Sequence, residues 1–218
     1  PAMTPYPFGT GGFVLRLTLG VFMAACALDL FVSAAPAQNQ MPAGRMVEMS
    51  LAELEDRIQG GVLGQILGNL NGLPHEFKYL EEPGDVRAYT PALPQGARTD
   101  DDTDIEWTYI IEMQRSGELY VSPSRITALW KAHLNVGIWS ANLYSRQLMD
   151  IGLEPPLTGN SALNPWAETN VAGIYMTEMF SLMAPGLPQS AARLSTYYAK
   201  ASIDGEPIQT AQFFSAML

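Results

Sequence analysis

Four carboxylates crowd five positions at Asp100, Asp101, Asp102 and Asp104, flanked by Thr99 and interleaved with Thr103. Like charges this close repel, and they sit together only in water or around cations. Hard oxygen donors of this kind suit magnesium, calcium or manganese. The alternative is a solvated cap, because a helical pattern follows at once and its N-terminal dipole favours negative charge. An EF-hand is excluded. With Asp100, Asp102 and Asp104 at loop positions one, three and five, Ile105 falls where glycine is required and Ile111 where the bidentate Glu belongs. His75-Glu76 opens like a zinc-protease motif, but Tyr79 stands where the second His is needed. His133 falls on the apolar face of its segment and reads as a core or capping histidine. The sequence contains no G-x-S-x-G elbow, P-loop or dinucleotide fingerprint.

The elements that must hold these residues read as helices. Ser50 and Glu53 form a capping-box pattern, and Leu51, Leu54, Ile58, Val62, Ile66 and Leu70 recur at close to helical spacing, predicting one amphipathic helix from 51 to about 69. Gly60, Gly64, Gly68 and Gly72 recur along it at every fourth residue. Glycine costs about 0.8–1 kcal/mol per helical site. The ladder therefore predicts a close approach by another backbone or by a ligand. Residues 78–98 read as an irregular loop. Residues 105–114 read as a helix stopped at Ser116-Gly117, residues 124–150 as one long helix, and residues 168–183, 188–202 and 207–218 as three more, the last two opening on proline. Alternating strand runs are scarce. The expected class is all-α, a compact helical bundle with long loops.

Composition bounds what this bundle does. The 218 residues are 47% hydrophobic, enough for a substantial core. The formal net charge of −10 argues against nucleic acid as a broad-area partner. Residues 17–35 are apolar except for Thr18, Asp29 and Ser33; Arg16 precedes them and Ala35-Pro36-Ala37 follows. This reads as a signal peptide over 1–37, cleaved after Ala37, then a linker over 38–49 and a helical domain over 50–218. Export to a periplasmic or extracellular space is expected, with no stable membrane span after processing; a retained anchor is the alternative. The only cysteine, Cys26, lies in that leader, so the processed chain needs no disulfide.

The motifs themselves carry a resemblance. Asp56-Arg57-Ile58-Gln59-Gly60-Gly61-Val62-Leu63-Gly64, then Gly68-Asn69, then Gly72-Leu73-Pro74-His75-Glu76-Phe77, resembles the opening of the ADP-ribosylglycohydrolase family. Its members begin with a D-R-I-x-G-x-L-x-G run and continue through G-D-x-x-G-x-P to an acidic residue followed by an aromatic one. A T-D-D-T-type metal motif follows after a loop, matched here from Thr99 to Thr103. The resemblance spans about 51–218, strong in the two motifs and weaker after Ser124.

This resemblance implies a helical bundle that hydrolyses the glycosidic bond of ADP-ribosyl groups, carried on a protein or a small molecule, with two magnesium ions and manganese as a possible substitute. It implies Thr99, Asp100, Asp101 and Asp102 as metal ligands in one of two registers, Asp101 in both, and Glu76 as the residue that positions or deprotonates the attacking water. Three departures are visible. Asn69 replaces the family's Asp, Ser202-Ile203 stands where a Thr-His is found, and no second D-x-D-T element follows late in the chain. Because residues 208–218 run apolar to the last position, the bundle is expected to be incomplete at its C-terminus, with weak or absent turnover. The alternative is a non-catalytic structural or ligand-binding member of the same fold, as lens J-crystallins are. A glycoside hydrolase of another acceptor, using Glu76 and an Asp as a carboxylate pair, is a third reading.

Overall fold

Ser50 stops its backbone in the extended region and accepts the Glu53 N–H with its hydroxyl at 3.2 Å, which starts α1 at Leu51–Gly72. The computed structural model describes residues 46–87 and 100–218, and residues 49–218 form one compact unit. The leader expected over 1–37, most of the linker to 49, and Thr99 lie outside the described residues.

Seven further α-helices follow among the described residues: α2 at Asp101–Ser116, α3 at Pro123–His133, α4 at Ser140–Asp150, α5 at Ala172–Tyr175, α6 at Glu178–Leu182, α7 at Pro188–Ala199 and α8 at Glu206–Met217. No strand occurs among the described residues. The unit is therefore an all-α bundle, as expected, without a feature that singles out one bundle family. None of the helices among the described residues is long and apolar enough to cross a membrane.

The core lies among α2, α3, α4, α6, α7 and α8. Tyr109, Trp130, Phe180 and Tyr198 are fully buried, with Phe180 stacked on Tyr198 at 4.9 Å between ring centres and Tyr109 tilted against Tyr198 at 4.5 Å. Each fully buried apolar side chain contributes about 1.5–3 kcal/mol. The polar tips are paired. Trp130 Nε1 donates to the Tyr109 hydroxyl, and the Tyr198 hydroxyl accepts from Val121 N and donates to Leu119 O. Glu112 on α2 takes both the Nε–H and an Nη2–H of Arg125 on α3, at 2.7 and 2.9 Å, locking those helices together.

Two expectations on helices are corrected. Residues 124–150 are not one helix. The chain leaves α3 at Leu134, turns through Gly137 at φ +67° and re-enters at Ser140, while Leu134 and Ile138 stay buried on either side. Residues 168–183 make only the short α5 and α6, after Asn170 Oδ1 captures the Ala172 N–H at 2.6 Å.

The glycine ladder is corrected as a packing face. A Cβ built on Gly60, Gly64, Gly68 or Gly72 meets no described atom within 4 Å. The close approach belongs to Gly61, where a Cβ would stand 2.6 Å from a Leu182 methyl. Leu54, Ile58, Val62, Ile66 and Leu70 do form the inward face of α1, but only half-buried, and Leu51 is exposed. With the described residues alone, no residue of α1 is fully buried.

Candidate functional site

Asp100 is the N-cap of α2. Its carboxylate accepts the Asp101 N–H at 2.9 Å, and its own N–H donates to Thr103 Oγ1 at 3.3 Å. So Asp100, expected as a metal ligand, serves the helix start, which is the capping role weighed above. Asp101 and Asp102 follow in the first turn, both half-buried. Burial is the main cause that pushes the Asp101 carboxyl up to about 6; the charges of Asp102, Asp100 and Glu76 add to it. Burial also raises Asp102, against the opposing pull of Asn69, whose Nδ2 donates to Asp102 Oδ2 at 2.5 Å. Residues 69 and 102, one from each sequence motif, are therefore in direct contact.

One turn deeper lies a carboxyl that the sequence reading missed. Glu106 is fully buried on the same helix face as Asp102, four residues on. It accepts Gln65 Nε2 at 2.7 Å and Met179 N at 3.0 Å. Its neighbour is the Glu178 carboxyl at the start of α6. Burial raises both carboxyls, and the Glu178 charge raises Glu106 further, so Glu106 holds the proton of the pair. The Tyr175 hydroxyl accepts Asn142 Nδ2 at 3.1 Å, and after burial the nearby Asp101 charge is the largest influence raising it.

Two clefts flank α2. One, about 750 Å³, is bordered by Asp100, Asp101, Asp104, Trp107, Arg115 and His133. The other, about 760 Å³, is bordered by Asp102 and Glu178 at one end and by Gly64 and Gly68 along its floor. Adjacent residues on a helix point about 100° apart, which sends Asp101 and Asp102 toward different clefts. That splay bears on the expected ions. The donor chemistry suits magnesium or manganese, but among the described residues no three acidic, histidine or cysteine side chains group to hold one. The described residues thus supply only part of the ligand set expected from Thr99, Asp100, Asp101 and Asp102.

Glu76 follows the short turn of 73–75 that ends α1 and is solvent-exposed. The next residue, Phe77, is held at φ +59° with its ring exposed, a conformation that costs a non-glycine residue about 1–3 kcal/mol. His75 pairs with Tyr79, ring nitrogen to hydroxyl at 3.1 Å. His133 is exposed in the last turn of α3, not in the core as its apolar neighbours suggest. Compared with known families, curated proteins and solved structures, the chain matches none.

Proposed function

We propose that this chain belongs to a hydrolase that cleaves the glycosidic bond of ADP-ribosyl groups, on a protein or a small molecule. The observation that carries the proposal is the Asn69–Asp102 contact. Two motifs separated by 33 positions, each similar to one ADP-ribosylglycohydrolase motif, meet at one end of α1 and α2, and the charge of Glu76 is felt by Asp101. In this reading Glu76 orients and deprotonates the attacking water. Asp101, half-buried beside other carboxylates, faces the positive charge that develops at the anomeric carbon. The fully buried Glu106 keeps Gln65, and so α1, in register with α2. Magnesium, or manganese in its place, would be held by Asp101, with its remaining ligands coming from outside the described residues, Thr99 among them.

The same contact favours a second reading. An amide that satisfies Asp102 stands where the family has a carboxylate, as a drifted, non-catalytic ligand-binding site would have it.

The test is release of free ADP-ribose from ADP-ribosylated protein, with magnesium, with manganese and with chelator. Metal-dependent release that falls at least a hundredfold in Glu76→Gln and Asp101→Asn supports the hydrolase. Release that does not depend on metal, or equal release by parent and both variants, overturns it; no release from any acceptor favours the binding reading.

A further inference from the structure

The cleft between α1 and α6 ends in polar atoms that the protein leaves without partners. Gln65 and Asn69 each commit an amide N–H to a carboxylate, Glu106 and Asp102 respectively. That fixes their oxygens as acceptors, and Gln65 Oε1 and Asn69 Oδ1 are buried with no donor among the described residues. Ser181 borders the same cleft, is only 4% exposed, and its Oγ is likewise unpartnered. Buried polar atoms are almost always hydrogen-bonded, so three orphans at one end of one cleft are a vacancy for a donor-rich group. The carboxylates beside them, Asp102 and Glu178, ask for positive charge. Arg57, at the border of the cleft, does not supply it, since it is paired with Glu53 at 2.9 Å on the outer face of α1.

The rest of the cleft is apolar. Leu54, Ile58, Leu182 and Phe214 wall it, and Gly64 and Gly68 leave its floor open, with no described atom within 4 Å of where their Cβ atoms would be. A site with an apolar trough and a convergent polar end takes a ligand of the same polarity pattern. We propose that this cleft binds an amphipathic primary amine, its alkyl chain over the glycine floor and its ammonium donating to Gln65 Oε1, Asn69 Oδ1 and the Glu178 carboxylate, beside Ser181. An ammonium offers three donors and no acceptor, which matches an end where the free valences are acceptors. This site shares Asn69 and Asp102 with the proposed hydrolase, but neither Glu76 nor Asp101 borders it.

The experiment is calorimetric titration of the full chain with n-hexylammonium and, as the uncharged counterpart, n-hexanol, with no ADP-ribosyl compound present. Hexylammonium is expected to bind saturably and at least tenfold more tightly than hexanol. Glu178→Gln should remove that tenfold preference, Ser181→Ala should weaken the ammonium several-fold, and Gly64→Leu should fill the trough and abolish binding of both probes while leaving the helical circular dichroism unchanged. Non-saturating uptake, equal affinity for the two probes, or parental affinity in Gly64→Leu overturns the proposal, the acidic surface then being the only attraction. Because no glycosidic bond is present, this result is independent of the ADP-ribose release assay.

Discussion

Asn164 and Gln65 are both amides that tie helices together, and the molecule treats them in opposite ways. Asn164 is fully buried, its Nδ2 within reach of Ala141 O, Ser145 Oγ, Thr158 O and Ser202 O, and its Oδ1 takes the Trp166 N–H at 3.1 Å. It fastens α4, the turn at 157–159 and the chain leaving α7. Gln65 satisfies one carboxyl and leaves its oxygen orphaned beside an open cleft. The same contrast repeats along α2. Glu112 meets the Arg125 guanidinium through two hydrogen bonds, whereas Glu106, also buried, meets another carboxyl. Where the polar groups are all partnered the protein has a scaffold; where they are not, stability has been given up and a ligand has something to gain.

The largest effect should come from the scaffold side. Asn164→Ala strips partners from several buried groups at once, and each buried donor or acceptor left unsatisfied costs about 1–3 kcal/mol. A loss of roughly 3 kcal/mol or more in urea unfolding is expected, against about 1–2 kcal/mol for Gln65→Ala, which leaves only one oxygen of Glu106 without its partner. Equal losses for the two variants would break the comparison.

The unpartnered side should declare itself in pH dependence. Burial places Glu106 at about 9 and Glu178 at about 7, both above the ordinary 4.5 that they regain on unfolding. The folded protein therefore holds protons that the unfolded chain has already released, and the pair's contribution is complete below about pH 4.5 and drains away as pH rises through 7 and on to 9. Asp101, raised to about 6, adds to the same trend. Glu112 and Asp150 act in the opposite sense, since each is lowered, chiefly by its hydrogen bond to Arg125 or Arg146, so their contribution is lost only as pH falls through their folded values. Thermal melts should accordingly show a maximum at mildly acidic pH and a decline from pH 5 to 9. Glu106→Gln should flatten that decline, because Gln65 can turn its orphaned oxygen toward the new amide. A stability that climbs from pH 5 to 8, or a decline that survives the substitution unchanged, would show that this pair is not protonated in the fold.

How far these features are legible in the sequence follows from how local their causes are. The start of α1 is written in Ser50, and those of α7 and α8 in Pro188 and Pro207, because a cap or a proline acts within one turn. The all-α class and the inward face of α1 follow from periodicity alone. The break at 134–139 is invisible to that test. Leu134 and Ile138 keep helical spacing across it, and Gly137 counts as a face position when its real contribution is a positive φ. The aspartate run announces a charged helix start, but a run of adjacent residues also splays on a helix, and that geometry separates Asp101 from Asp102. Glu106 was within reach, four positions beyond Asp102 on one face. Glu178 was not, since it is brought to Glu106 by tertiary packing across 72 residues of chain that nothing local encodes. The proposed resemblance to ADP-ribosylglycohydrolases would put Asn69 and Asp102 in one site, without saying that the two bond.

The smallest effect is the one whose sign is most informative. A glycine ladder kept for close packing predicts that any added carbon at Gly64 forces backbones apart. The structure removes that reason, because a Cβ at Gly64 would meet no described atom within 4 Å. What remains is the entropy that glycine costs a helix, about 0.5–1 kcal/mol relative to alanine. Gly64→Ala should therefore raise the unfolding free energy by about that amount, while the methyl occupies little of the trough. Gly61→Ala gains the same helix propensity, but its methyl would lie 2.6 Å from the end of the Leu182 side chain. Leu182 must shift, at a cost that offsets the gain, so this variant should fall close to the parent or just below it. Chemical denaturation of the two alanine variants, run side by side, separates the explanations. Gly64→Ala above the parent and Gly61→Ala at or below it locates the helix contact at Gly61 and leaves Gly64 as the floor of an open cleft. The reverse order would return the ladder to a packing role and remove the space in which the amine is proposed to lie.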